Sequence, residues 1–138
     1  MRDLKSKSIE FIKVAWQQDE ILNIFELVTE DFTYESPITD KQNFDWFAEY
    51  VRTIKASFSN LKIEVKKIFR DENSVCVFYD VIADHIGEIF NIQPSGKTIK
   101  FEVVTFLDFE EDLVNEMKSV FDAFDLKNQL IRKYENQN

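Results

Sequence analysis

The chain has 138 residues, of which 44% are hydrophobic, so it suits one globular domain covering residues 1–138 and is too apolar for intrinsic disorder. A net charge of −9 repels phosphate backbones and anionic lipid, so we expect no nucleic acid and no membrane as partner. The single cysteine, Cys76, excludes an internal disulfide, and the single histidine excludes zinc motifs that need two imidazoles. We expect no metal, no cofactor and, by default, a cytoplasmic location.

Helical spacing dominates the first half of the chain. One helix is predicted from apolar residues at i, i+3 and i+7: Ile9, Ile12 and Trp16. A second, shorter helical stripe follows an N-cap candidate, Asp19, and contains Ile21, Phe25 and Val28. The strongest helix, started by Asp40 or Asn43, is predicted from steps of three and four: Phe44, Phe47, Val51, Ile54 and Phe58.

The second half changes to the alternation that is typical of strands. Strands are predicted at 61–66, over a long run at 75–89 with a bulge near 84–87, from 99 to 107, and at 113–121. An early short strand at 31–36 is stopped by Pro37, and a last helix at 122–134 carries Leu126, Leu130 and Tyr134. This order predicts an α+β fold with three N-terminal helices on one face of a curled, mostly antiparallel sheet, and a C-terminal helix.

Three segments carry a family resemblance. Residues 11–19 and 29–37 read FIKVAWQQD and TEDFTYESP, residues 85–88 and 92–97 read HIGE and IQPSGK, and residues 120–130 read VFDAFDLKNQL. In this order they resemble the SnoaL-like proteins, the polyketide-cyclase-like branch of the nuclear-transport-factor-2-like (NTF2-like) superfamily. The resemblance implies a cone of helices over a strongly curved sheet, a pocket at its mouth, and a homodimer formed through the outer face of the sheet.

The resemblance also implies two catalytic candidates, Asp122 and His85. In the family's polyketide cyclases the residue matching Asp122 is a general acid/base for aldol closure. A carboxylate at the end of an apolar strand, beside Phe121 and Phe124, would be poorly solvated, and its pKa would rise towards neutrality. The alternatives are structural: Asp122 caps the terminal helix, and the His85 ring bonds to backbone in a hairpin.

Candidate pocket residues are Trp16, Tyr34 and Tyr79, each of which is alternatively a core residue with its polar atom at a rim. Two features depart from the family pattern. The strand before the last one lacks the histidine that the founding cyclases use and carries Asp108, and Glu35 stands where many members have histidine. The constellation of the family's cyclases is therefore incomplete in this chain.

Two hypotheses from different classes follow. The first is a cofactor-free cyclase, isomerase or hydrolase that acts on a small apolar carbonyl compound, with Asp122 as the base. The second is a non-catalytic module that binds a small hydrophobic molecule or pairs with a partner through its sheet. They differ in whether Asp122 and His85 face one connected cavity.

Overall fold

The computed structural model describes residues 3–17 and 24–131. Within these ranges the elements in chain order are α1 (Leu4–Trp16), β1 (Val28–Ser36), β2 (Thr39–Gln42), α2 (Phe44–Ser57), β3 (Phe58–Asp71), β4 (Ser74–His85), β5 (Thr98–Glu110), β6 (Leu113–Val120) and α3 (Ala123–Ile131). The predicted α+β class is confirmed. No helix in the described ranges is long and apolar enough to cross a bilayer.

The six strands form one sheet in the order β2-β1-β6-β5-β4-β3. All neighbouring strands are antiparallel except β1 and β6, which run parallel. Helix α1 packs against β3 and β4, and α2 contacts β1, β3 and α1. Alternate residues of β5 are buried in the core, among them Ile99, Val103 and Leu107, as the shared parity predicted.

Helix α2 begins at Asn43, one of the two predicted starts. The Asn43 side chain accepts the backbone N–H of Trp46 at 3.0 Å, which satisfies one of the free donors in the first turn. The other candidate, Asp40, lies in β2, a strand that the sequence analysis missed. The apolar stripe of α2 buries Phe47 and Val51 completely, as its spacing predicted.

The predicted count of three helices before the long strands was not exact. Asp19 and Ile21, on which the second helix was predicted, lie outside the described residues, and Ile24 and Phe25 are helical. Val28 was wrongly assigned to that helix, since it opens β1 beside Val114 of β6. The backbone N–H of Val114 donates to the carbonyl of Leu27 at 2.9 Å, so sheet pairing overrides the helical spacing here.

The bulge predicted near 84–87 does not form, because β4 ends at His85. The chain instead turns against the end of α2, where the Gly87 N–H donates to the Ser57 carbonyl at 3.0 Å. A Cβ on Gly87 would lie 2.6 Å from the Ala56 carbonyl oxygen, so this approach requires glycine. The register of β3 against β4 shifts instead between Ser59 and Lys62 and between Val65 and Lys67, because an edge strand can take up extra residues.

Helix α3 closes one end of the sheet. Leu126 and Leu130 are buried against a cluster that includes Ile99, as predicted, while Tyr134 lies outside the described residues. The Gln129 side chain accepts the backbone N–H of Lys100 at 3.2 Å and donates to its carbonyl at 2.8 Å. These two bonds fasten α3 to β5.

Candidate functional site

A cavity lies where the two clusters of the hydrophobic core meet. Its lining comes from all three helices, from β1, and from β3 through β6. The volume open to the centre of a water molecule is about 60 Å³. At roughly 10–15 Å³ per water, this space is equivalent to about four to six waters, so it is large enough for a small organic molecule.

One end of the cavity, the phenylalanine end, is apolar. It is formed by Ile54, Phe58, Phe90, Phe101, Phe121 and Leu126. The rings of Phe101 and Phe121 have centroids 6.0 Å apart and are tilted by 56°. Since these side chains have no hydrogen-bonding atoms, a ligand part placed here must be apolar.

The other end, the tyrosine end, carries the polar groups of the lining: Tyr34, Tyr50, Tyr79 and Ser119. The Tyr79 hydroxyl lies 2.7 Å from Thr105 Oγ1, which lies 3.0 Å from Ser119 Oγ. Buried hydroxyls are thus linked in a chain that ends at the cavity wall.

Burial keeps the three phenols neutral. Loss of solvent raises the pKa of Tyr79 far above its ordinary value, and the hydrogen bond from Thr105 offsets only part of this. Burial likewise raises the pKa of Tyr50 well above normal, with a further contribution from nearby Tyr34, whose own pKa is raised by burial. At neutral pH these groups are hydrogen-bond donors and acceptors, not bases.

The packing of aromatic rings fixes the tyrosine end. The Tyr50 ring stacks on Trp46, with centroids 5.2 Å apart at 23°, and meets Trp16 edge-on at 6.0 Å. The Tyr34 ring lies 4.9 Å from that of Phe47, which is fully buried. Rings enclosed on several sides hold their hydroxyls in one place, so little ordering remains to be done when a ligand binds.

Trp16, Tyr34 and Tyr79, the three pocket candidates, all lie in the cavity lining. Trp16 comes from the last turn of α1, Tyr34 from β1 and Tyr79 from β4. Their proposed contact with a ligand stays a prediction.

Asp122 is not placed as predicted. Its side chain is exposed, and its Oδ1 accepts the backbone N–H of Asp125 at 2.9 Å, so it caps α3. It is not among the described residues that line the cavity. The expectation of a desolvated carboxylate was therefore wrong, since the strand ends before Phe121 and the capping geometry turns Asp122 outward. Its role in proton transfer stays a prediction without that support.

His85 is fully buried but likewise does not line the cavity. Its Nδ1 accepts the backbone N–H of Ser95 at 3.1 Å, and its own backbone N–H donates to the Lys97 carbonyl at 2.9 Å. The ring thus holds the loop between β4 and β5 in place. Asp122 and His85 do not meet in one cavity, which was the condition set for the enzyme hypothesis.

Among the described residues that line the cavity there is no carboxylate, imidazole, ammonium or guanidinium group. Asp108 shares the outer face of β5 with Phe106 and bonds to the Ser74 side chain. Residues 3–17 and 24–131 contain no cluster of His, Cys, Asp and Glu that could hold a metal ion.

Among the lining residues that the sequence analysis did not name are two with hydroxyl groups, Tyr50 and Ser119. Tyr50 lies three residues after Phe47 on the apolar stripe of α2, where a tyrosine can bring a hydroxyl into the interior. Ser119 shares its parity in β6 with buried Met117. Both signals were readable, but neither residue belongs to a motif.

Comparison with known proteins agrees with this fold. The model of the SnoaL-like polyketide cyclase family matches residues 7–130. The chain belongs to this family. No curated protein matches the sequence significantly.

Several solved structures share the architecture of this SnoaL-like chain. AclR, a proposed hydroxylase from Streptomyces galilaeus, is 24% identical, with a TM-score of 0.81 over 91% of this chain and 83% of AclR. IdmH, a proposed polyketide cyclase from Streptomyces antibioticus, is 14% identical, with a TM-score of 0.80 over 94% and 99% of the two chains. A Catenulispora acidiphila protein with a ketosteroid-isomerase-like fold, solved with trimethylamine, is 13% identical, with a TM-score of 0.69 over 83% and 85%. At these identities the likeness establishes the NTF2-like fold alone.

Proposed function

We propose that this SnoaL-like protein binds a small, uncharged, largely aromatic molecule in the cavity. The observation that carries the proposal is the lining itself, in which apolar and aromatic side chains face neutral phenols, and its described residues include no carboxylate, imidazole, ammonium or guanidinium group. A charged ligand would lose its hydration there without gaining a counter-charge. An apolar ring with one polar oxygen would lose little hydration free energy on entering the cavity.

The size of the cavity limits the ligand. Four to six waters occupy about 120–180 Å³ in the liquid, which is the scale of one substituted aromatic ring. The phenylalanine end offers aromatic rings for offset or edge-on contact with such a ring. The proposal is therefore a monocyclic aromatic compound, with any larger part extending beyond the cavity.

Binding is proposed in preference to catalysis because of what the lining offers. Proton abstraction next to a carbonyl needs a positioned base, and Asp122 and His85 are occupied in capping α3 and in holding a loop. Neutral phenols and a serine hydroxyl can orient a ligand oxygen but do not accept a proton readily at pH 7. The cyclase and hydroxylase activities named for similar structures are for this reason not part of the proposal.

Titration with cumene, an uncharged aromatic hydrocarbon, tests the proposal by saturation-transfer NMR. Leu126→Trp would fill the phenylalanine end from α3, whereas Phe124→Trp places the same side chain on the exposed side of that helix, where Phe124 is 76% accessible. We expect wild type and Phe124→Trp to bind cumene equally, and Leu126→Trp to bind at least tenfold more weakly while keeping its circular dichroism. Absence of binding to wild type, or equal binding to all three proteins, would contradict the proposal.

We also propose that a second copy of the chain covers the outer face of the sheet. Six apolar side chains occupy two adjacent rows there, by strand register: Phe69, Cys76 and Phe106, then Phe78, Val104 and Val120. Beside them Lys66 Nζ lies 3.1 Å from Asp80 Oδ1 and 3.0 Å from Glu102 Oε2, so the face carries charges of both signs. A two-fold axis can therefore pair this face with the same face of a second copy.

Analytical ultracentrifugation tests the dimer. Phe106→Lys places a charge in the middle of the apolar rows, and we expect it to convert a wild-type dimer into a monomer, because an unpaired buried charge is costly. Glu110→Lys, at an exposed position near the end of the same strand, is the control and should leave the dimer intact. A monomeric wild type at 100 µM, roughly the concentration at which weak dimers form, would refute this proposal.

A further inference from the structure

We infer that Phe90 makes the cavity selective for uncharged ligands, because its ring separates the cavity from the ammonium group of Lys127. This inference rests on the proposed binding function and refines it by naming the residue that determines the charge of the ligand. Phe90 lies in the loop that joins β4 to β5. Its backbone conformation, its place in the cavity lining and its contact with Lys127 support this role.

Phe90 has a backbone conformation that suits glycine rather than phenylalanine. Phe90 and Asn91 have positive φ angles of 53° and 62°. The residues on either side, Ile89 and Ile92, exchange two backbone hydrogen bonds of 3.1 and 2.8 Å, so the four residues form a tight turn. Turns whose two central residues both have positive φ prefer glycine, asparagine and aspartate there. A phenylalanine is strained at this position, so its presence points to a role for the ring.

The position of this turn is fixed by its surroundings. The side chain of Ile89 is buried in the smaller of the two core clusters. The Ser57 hydroxyl donates to the Glu88 carbonyl at 3.1 Å, which ties the start of the turn to the end of α2. The Gln93 side chain donates to the Glu88 carboxylate at 3.3 Å and closes the base of the turn. The ring of Phe90 is therefore held at a defined place in the cavity wall.

The Phe90 ring borders the cavity on one side and a cation on the other. It lines the phenylalanine end and is half-buried, so part of it is open to solvent. The Lys127 Nζ lies over the ring, 5.2 Å from its centroid, where a cation is attracted to the electron-rich face. Lys127 is exposed and is not among the described residues that line the cavity. The ring is therefore the wall between the ammonium group and the cavity.

This arrangement determines the cost of placing an anion in the cavity. With the ring present, a carboxylate would lose its hydration and would meet no positive charge in the described lining. Without the ring, the space that it occupied would connect the cavity to Lys127, whose ammonium group could form a charge-assisted hydrogen bond with the carboxylate. This role accounts for a phenylalanine at a position whose backbone suits glycine.

The test compares cumene with 4-isopropylbenzoate, which adds a carboxylate to the same ring, by saturation-transfer NMR at about pH 7, where the carboxylate is ionised. We expect wild type to bind cumene in preference to 4-isopropylbenzoate. Phe90→Gly should raise the affinity for 4-isopropylbenzoate by about tenfold, as one hydrogen bond between charged groups implies. Glycine suits the positive φ, so this variant should fold, and Phe90→Asn replaces it if circular dichroism shows that it does not.

Two further variants identify the cause of the gain. Combining Phe90→Gly with Lys127→Met removes both the ring and the ammonium group, and we expect the gain in affinity for 4-isopropylbenzoate to disappear. Phe90→Leu keeps an apolar wall and should bind 4-isopropylbenzoate as weakly as wild type does. A cavity that is merely larger or wetter would instead bind the carboxylate whether or not Lys127 is present.

The outcomes separate this inference from the proposed function. If cumene does not bind wild type, the proposed function is wrong and the inference is wrong with it. If cumene binds but Phe90→Gly does not raise the affinity for 4-isopropylbenzoate, the inference alone is wrong. It is also overturned if the gain persists in the variant that lacks Lys127, or if Phe90→Leu shows the same gain as Phe90→Gly.

Discussion

The two ends of the cavity are built in different ways. At the tyrosine end, hydroxyls and rings from α1, α2, β1, β4 and β6 meet in the main core, and each is held by neighbours from distant parts of the chain. At the phenylalanine end the enclosing element is α3, which contacts β5 and is fastened to it by the Gln129 side chain. The comparison shows that the tyrosine end is held by ring contacts from several elements, whereas the phenylalanine end depends on the packing of one short helix.

The strongest test of this difference removes the support beneath the tyrosine end. Phe47 is fully buried, and its ring contacts those of Tyr34, Phe32 and Trp16. We expect Phe47→Ala to lower the free energy of unfolding by about 3–5 kcal/mol, because it deletes a large buried side chain and leaves a void. Phe124→Ala, on the exposed side of α3, should change it by less than about 0.5 kcal/mol. Urea denaturation measures the free energy of unfolding of both variants. Equal losses would contradict the expected difference between the buried ring and the exposed one.

Removing single hydroxyls from the tyrosine end should have a smaller effect on the free energy of unfolding. Tyr79→Phe removes the buried hydrogen bond to Thr105, which keeps Ser119 as its other partner, so we expect a loss of about 0.5–1.5 kcal/mol in the free energy of unfolding. Tyr50→Phe should cost less stability than Tyr79→Phe, because the Tyr50 side chain is only partly buried whereas Tyr79 is fully buried and bonded to Thr105. Thermal denaturation of the two variants gives the order, and the reverse order would show that Tyr50 is the more constrained residue.

At the phenylalanine end, Gln129→Ala removes the two bonds to the Lys100 backbone. We expect a cost of about 1 kcal/mol and faster hydrogen exchange confined to the amides of α3. Exchange in α2 should be unchanged. If exchange rises equally in both helices, α3 does not open as a separate unit.

Asp122 tests the distinction between a cap and a catalytic acid. Asp122→Ala should cost about 0.5–2 kcal/mol and Asp122→Asn only a few tenths, because asparagine also accepts the Asp125 N–H. Neither change should alter cumene affinity. A tenfold effect of Asp122→Asn on affinity would place the carboxylate in the site after all.

The smallest expected effect is that of pH on binding. Burial raises the pKa of Tyr34, Tyr50 and Tyr79 above the ordinary value of 10.0, so all three stay protonated at neutral pH. Cumene affinity should be flat from about pH 6 to 9. Above pH 10 the unfolded chain loses phenol protons that the folded chain keeps, so the stability should fall as pH rises. A step in affinity near pH 6.5 or 4 would instead indicate a histidine or a carboxylate at the site.

The sequence was most informative where the pattern was local and repeated. The spacing of α2, the parity of β5 and the family segments predicted the fold and three of the cavity residues. The prediction of a desolvated carboxylate at Asp122 was wrong because the sequence shows which residue ends a strand, but not whether its side chain turns into a cavity or caps the next helix. The assignment of Val28 to a helix was wrong because strand pairing with Val114, which is far along the chain, outweighed the local helical spacing. Tyr50 and Ser119 can be recognised as lining residues of one cavity only when the fold has placed α2 and β6 around it.

The central claim is that an uncharged aromatic molecule occupies the cavity, and diffraction from a crystal soaked in 4-bromoacetophenone tests it most directly. The account predicts an anomalous bromine peak inside the cavity, beside Phe101 and Phe121. Bromine found only on the outer face of the sheet, with the cavity free of ligand, would contradict it.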